Sequence, residues 1–373
     1  VGSTVPVSLT WEKSTTYDLG LDLDFLNNRL SFSGDYYRRY TTDMYTPSIS
    51  LPSVYGTTSP KGNNAELRTT GWELSLTWRD SFKLGGKPFD YSIKAMVWDN
   101  RTVVTKYENA TRSLGTLKGY IQNGGSPSDF YEGMELGEMW GYTVAGLFRD
   151  QADIDSSATH DFTQASDKVT RPGQVKIADL DHNGNIDPGA FTADDHGDLS
   201  IIGNINPHYM FGVNLAANWN GIGLSVFLQG VMKRDWYPSP DSGYFWGKYA
   251  RPFMWVLGIH NYTDDMYSEE KNNWDTAYWP RMTTYQSNSS YSWTKLLEIP
   301  NTRYKQNAAY LRVKNIQVDY TFPKALCQKI RLGGLKIYLS GENLFTFTPL
   351  HKYAPNFDPE ALGYDTDFSS TAG

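Results

Sequence analysis

No stretch of this 373-residue chain is apolar for the ~18 consecutive residues that a membrane-spanning helix needs, so helical membrane architectures are excluded. Cysteine is nearly missing: Cys327 stands alone, which rules out an internal disulfide framework and a cysteine-only zinc site. Basic charge is outweighed by acid, with a net charge of -7 and no basic stripe, so no nucleic acid partner is expected. The six histidines are scattered, and neither an HExxH motif nor a Ser/His/Asp order appears. No catalytic residue is assigned and enzymatic function is not expected. The opening Val-Gly-Ser-Thr-Val-Pro also lacks the basic region and apolar core of a signal peptide.

What is abundant is aromatic. With 12 Trp and 26 Tyr, the chain suits either a sugar-binding β-sandwich or a wall whose rings sit at two water–lipid interfaces. An alternation that many soluble sheets share, and that begins at Tyr17 to Phe25, separates these readings only through its repetition. Tyr17, Leu19, Leu21, Leu23 and Phe25 fall on one face of a strand, and Asp18, Gly20, Asp22 and Asp24 on the other. Similar alternation returns about eight times, with connections that are alternately short and long. That rhythm predicts a transmembrane antiparallel β-barrel, all-β, with tight turns at one end and large loops at the other. A mean hydropathy of -0.52 does not oppose it, because half of every strand faces water.

The short turns are expected at Asn27-Asn28, Gly85-Gly86, Asn220-Gly221 and Lys329 to Gly334, and the long extracellular loops at about 46–64, 108–206 and 237–307. A change of face near Asn315-Ile316 suggests a β-bulge in the seventh strand. If the short turns are periplasmic, both chain ends lie outside the cell. The expectation is therefore that residues 1–373 are the C-terminal part of a larger barrel, without its closing strand.

Several segments carry a resemblance. Ala309-Tyr310-Leu311-Arg312-Val313-Lys314-Asn315-Ile316, with Asp319 to Pro323, resembles the "YLRlkNi…gYtlP" block of SusC/RagA-type TonB-dependent outer-membrane transporters. Gly341-Glu342-Asn343-Leu344-Phe345-Thr346 is similar to that family's "sGqNLftfT" segment. Trp11-Glu12 through Leu30 resembles its "WE…nlGlDfgflnnRl" hairpin, Asn64 to Leu74 its "N…NkGwElsl" and Ile201 to Tyr209 its "iGn.nPkyyyG". Ala65 and Thr70 depart from the pattern. The resemblance implies a 22-stranded bacterial outer-membrane barrel filled by an N-terminal plug, with plug and TonB box outside this chain. It further implies import of oligosaccharides beneath a SusD-like lipoprotein lid, driven by TonB, within a higher-order complex set in outer-membrane lipids. A RagA-like oligopeptide importer is the alternative, and a secreted carbohydrate-binding β-sandwich or adhesin is the reading from another class.

Three constellations could carry chemistry. Asp179, Asp181, Asn183, Asn185 and Asp187 place oxygen donors at alternate positions around Gly184, like the first half of an EF-hand, which suits a structural Ca²⁺. Position twelve is Ala190, so Asp194, Asp195 or Asp198 would have to close the shell, and an Asx-rich turn without metal is the competing account. Transport itself needs no cofactor. Tyr244, Trp246, Tyr249, Trp255, Trp274 and Trp279 are candidates for stacking on sugar rings or on a partner, against a role in packing the loop. Asp18, Asp22 and Asp24 could be paired glycosidase carboxylates, but a solvated lumen wall explains them better.

Overall fold

The computed structural model describes residues 9–47, 61–109, 111–114, 130–160, 169–238, 245, 265–281 and 300–362. Four long strands come first: β1 (Lys13–Phe25), β2 (Leu30–Pro47), β3 (Lys61–Leu84) and β4 (Lys87–Lys106). Six short ones follow: β5 (Glu138–Tyr142), β6 (Val144–Leu147), β7 (Thr159–His160), β8 (Val175–Ile177), β9 (Asn185–Ile186) and β10 (Leu199–Asn204). A single helical turn, α1 (Gln151–Asp155), lies between β6 and β7. Next are β11 (His208–Trp219), β12 (Ile222–Lys233) and the two-residue strands β13 (Asp235–Trp236) and β14 (Gln306–Asn307). β15 (Tyr310–Thr321), α2 (Lys324–Lys329) and β16 (Lys336–Phe347) lead to a 3-10 turn at Pro349–Lys352.

The long strands form one antiparallel sheet in the order β1-β2-β3-β4-β11-β12-β15-β16, a meander with β1 and β16 at its edges. Its register turns the sequence alternation into continuous rows. Leu21, Gly34, Leu74, Val97, Phe211, Gly230, Leu311 and Phe347 stand opposite one another across all eight strands. Leu23, Phe32, Leu76, Ala95, Val213, Leu228, Val313 and Phe345 form the next apolar row. Between them, pointing the other way, runs Asp22, Ser33, Ser75, Met96, Gly212, Gln229, Arg312 and Thr346. A one-residue slip would bring residues of the other face, Asp22, Ser75, Asn214, Gln229 and Arg312 among them, into the apolar rows, so the register is strongly specified. The phase is kept by an irregularity at Lys314, where the register steps against both β12 and β16, at the expected face change.

Aromatics bound these rows. Near the turn end Phe82 lies 5.0 Å from Phe89, Phe89 is 6.1 Å from Tyr91, and Tyr320 is 4.8 Å from Phe322. Near the loop end Tyr17 meets Tyr40 at 6.3 Å and Trp72 meets Tyr209 at 6.5 Å. From Trp72 to Phe82 the chain climbs roughly 33 Å at the usual strand rise, and a strand tilt of about 40° reduces this to about 25 Å of height, the apolar thickness of an outer-membrane barrel. Trp72 to Trp78 alone would have been too short; the crossing runs on to Phe82.

The hairpin ends follow turn chemistry. Gly85 and Gly86 take φ of 58° and 75°, and Asn220 and Gly221 take 48° and 89°, the left-handed pairs that match strand twist. The last connection differs from the short turn expected at Lys329 to Gly334: it contains α2, whose Cys327 is buried.

Beyond the loop end the packing inverts. Trp279, Tyr142, Tyr304, Phe148, Phe245, Leu114, Ile186, Leu199 and Leu350 are almost wholly buried in a layer built from the long connections. Small ladders organise it: β5 with β10, β6 with β8, β13 with β14, and parallel β7 with β9. The layer is tied to the wall where Val104 N donates to Met134 O (2.8 Å) and Leu136 N to Thr102 O (2.9 Å). After β16 the chain folds back: Arg312 pairs with Asp358 and Glu360, each at 2.5 Å, and Lys314 with Glu360 at 2.8 Å.

Candidate functional site

Two features could act on a ligand: the cleft formed where the loop layer meets the wall, and the acidic turn within that layer. In that cleft a cavity of about 680 Å³ is lined by Asp99, Arg101, Glu135, His208, Lys233 and Lys305, among others. His208 Nδ1 lies 2.8 Å from Asp99, Arg101 is paired with Glu135, and Lys305 bridges Asp235 at 2.8 Å while donating to Ile202 O at 2.7 Å. Deeper in the loop layer, burial pushes the Glu138 carboxyl up, against the hydrogen bonds from Tyr131 and Trp140 that favour its charged form. Sequence reasoning missed this cleft because its polar groups come from strands and loops about a hundred residues apart, with no local motif to join them.

In the acidic turn, Asp179 and Asp181 come together, and Asp198 rather than Asp194 or Asp195 completes the group: each of the three offers a carboxylate oxygen within 4.8 Å of the others. Asp198 is wholly buried and accepts from Leu180 N (2.6 Å) and Asp187 N (2.9 Å). Burial raises its carboxyl despite those bonds. Asp194 is taken by Arg112. Asn183, Asn185 and Asp187 serve the turn instead. Asn183 Nδ2 donates to Asp181 at 2.9 Å and Asp187 at 3.4 Å, Asn185 N donates to Asn183 Oδ1 at 2.7 Å, and Asp187 Oδ1 accepts from Gly189 N at 2.7 Å. The Asp179 carboxylate is only half used. Its Oδ2 accepts from Gly184 N at 3.0 Å, whereas Oδ1 is buried without a hydrogen-bond partner.

Among the aromatic candidates, Tyr244, Trp246, Tyr249 and Trp255 lie outside the described residues. Trp279 is a correction: its ring is 1% exposed, stacked on Tyr304 at 5.5 Å and edge-on to Phe245, so it packs the loop rather than offering a face to a ligand. Trp274 packs against the same core but stays partly exposed. Asp18, Asp22 and Asp24 face Tyr37, Ser33 and Ser31 across the hairpin, with no partner carboxylate opposite.

Comparison with known proteins agrees with this architecture. The profile of the family described as TonB dependent receptor-like, beta-barrel matches residues 2–344. The chain is 27% identical over 360 residues to TonB-dependent receptor P3 of Formosa agariphila, covering 95% of this chain and 31% of that protein. To TonB-dependent receptor SusC of Bacteroides thetaiotaomicron it is 29% identical over 186 residues, 49% of this chain and 16% of SusC. Its fold is similar to the RagAB peptide transporter, with a TM-score of 0.64 and 22% identity over 95% of this chain and 34% of that one. The chain thus spans about a third of the length of the relatives it matches over most of its own.

Proposed function

Because this chain belongs to the TonB-dependent receptor-like β-barrel family, we propose that it is barrel wall and loop layer of a SusC-like importer that carries oligosaccharides across the bacterial outer membrane. In this reading a SusD-like surface lipoprotein covers the loop end, and TonB drives release inward. One observation carries it: two apolar rows, each eight strands wide, run between aromatic girdles, with a polar row directed to the other face. The Tyr- and Trp-rich sequence of residues 244–279, in which Trp274 is partly exposed, supports a sugar cargo. Oligopeptide cargo is the second reading, suggested by the likeness of the fold to the RagAB peptide transporter.

The test has two stages. The native protein should sediment with outer membranes and need detergent for release; recovery in a soluble fraction would overturn the reading. A deletion strain should then lose growth on one glycan of a panel and keep growth on peptides. The opposite pattern selects the peptide reading.

A structural divalent cation belongs to the same reading. The orphaned, buried Asp179 Oδ1 lies in the Asp179–Asp181–Asp198 group, and a hard cation would satisfy it as a hydrogen-bond donor would. Those three carboxylates would hold it, and it would brace the turn rather than take part in transport. Chelation should therefore lower the thermal stability of the loop layer in the native protein and leave that of an Asp198→Asn variant unmoved.

A further inference from the structure

Within the upper girdle, from the level of Trp72 upward, the face of the wall that carries the apolar rows becomes cationic. Three cross-strand rows describe it: Leu19, Tyr36, Trp72 and Asp99; then Tyr17, Arg38, Thr70 and Arg101; then Thr15, Tyr40, Arg68 and Val103. Contacts confirm that these side chains share a face, since Arg38 Nη2 donates to Tyr36 Oη at 3.3 Å and the Tyr17 and Tyr40 rings meet edge-to-face. Two of the charged groups already have partners, Asp99 in His208 and Arg101 in Glu135. Arg38 and Arg68 are exposed and have no carboxylate partner among the described residues. Of the acids nearby, Glu66, two residues from Arg68 along β3, is paired with Lys106, and Asp18, Asp35 and Glu73 belong to rows on the other face.

Arg68 lies directly across from Tyr40, and Arg38 is one pleat below it on the adjoining strand, so the two guanidinium groups can converge on one anion. Their height matters. Level with the Tyr17 and Tyr40 rings and one or two pleats above Trp72 is headgroup depth, where a cation meets lipid phosphate rather than bulk water. Guanidinium binds phosphate through paired N–H donors, and the hydroxyls of Tyr36, Tyr40 and Thr70 add donors around the same point. In a chain of net charge -7, two free arginines at this level are a local feature rather than a general surplus.

We propose that Arg38 and Arg68, with the Tyr36, Tyr40 and Thr70 hydroxyls, form a site on the outer wall for the phosphate of a phosphorylated glycolipid headgroup in the leaflet at the loop end. The proposal rests on the outer-membrane reading above. Native protein extracted in mild detergent is incubated with bisphosphorylated lipid A, or with the same lipid after phosphatase treatment, and retained lipid is counted by native mass spectrometry. The phosphorylated lipid should be retained by the native protein and bound about tenfold more weakly by an Arg38→Gln/Arg68→Gln variant. The dephosphorylated lipid should bind both proteins equally weakly, and equimolar inorganic phosphate should displace nothing. Equal retention of the two lipids, unchanged binding by the variant, or displacement by inorganic phosphate would overturn the site. Heat-modifiable gel migration verifies that the variant barrel is folded. Protein that sediments with outer membranes yet shows no phosphate preference removes this site alone; protein absent from them removes the membrane reading too.

Discussion

The wall and the loop layer use the same residues in opposite ways. In the wall, Leu19, Leu21, Leu74 and Leu76 are among the exposed apolar side chains, and order resides in register. In the loop layer, Tyr142, Phe148, Trp279 and Tyr304 are buried together, and order resides in packing. The difference follows from the solvent each region meets. A wall in lipid need not hide its apolar face, but it must pair every backbone group, which a sheet does strand by strand. A loop layer in water gains only from burial, so its short ladders of two to six residues act as struts around a core.

The largest test of this contrast is Trp279→Ala. Removing a buried indole costs about 3–5 kcal/mol, and the loss should stay in the loop layer. Limited proteolysis should cut the loops of the variant while the barrel keeps its heat-modifiable migration; loss of both would mean that the two regions fold as one. Next is Val213→Arg, in the middle of an apolar row, at about 2–4 kcal/mol for a cation near the bilayer midplane. Its neighbour Asn214→Arg, on the polar face, should cost little, and equal losses of folded barrel in the two variants would refute the assignment of faces.

That assignment was legible because a strand repeats every two residues: Tyr17 to Phe25 and Tyr209 to Trp219 announce their faces with no knowledge of neighbours. The loop layer was not legible, because its core residues obey no period. Tyr142, Phe148, Ile186, Trp279 and Tyr304 meet only after the chain has folded. The acidic turn shows the boundary between the two cases. Local spacing singled out Asp179 and Asp181, whose carboxylates the fold brings together with Asp198, but Asn183 and Asp187 were drawn into the turn by nearby backbone donors. The third carboxylate, Asp198, was one of three acids that sequence could not rank. Trp279 misled for a related reason, since an exposed ring and a core ring have the same composition.

A smaller effect comes from His160, buried in the loop layer with Nε2 accepting from Ile177 N at 2.9 Å and Nδ1 2.9 Å from Ala158 O. Burial is the main cause that lowers its pKa to about 4, with Lys176 adding to it and the Ala158 carbonyl opposing. The unfolded chain takes up the proton near pH 6.5, before the folded one does, so the contribution is complete above that pH and is lost as pH falls toward 4. At pH 5 the loss is about 2 kcal/mol relative to pH 7. Glu138 and Asp198, whose carboxyls burial raises, work in the other direction, so the quantity to measure is the difference between the native protein and His160→Gln. Loop-layer stability should fall more steeply with acid in the native protein, and parallel curves would refute the assignment to His160.

The smallest effect concerns the seam between the regions. Thr348 Oγ1 accepts from Leu350 N at 3.2 Å and donates to Ala309 O at 2.7 Å, joining the segment after β16 to the start of β15. Thr348→Ala removes both bonds at a cost of about 1 kcal/mol. Arg312 still holds Asp358 and Glu360 in that variant, so the segment should exchange its amide hydrogens faster around Leu350 and remain protected near Glu360. Uniform loss of protection across 349–362 would mean that the threonine, rather than the arginine, fixes the segment to the wall.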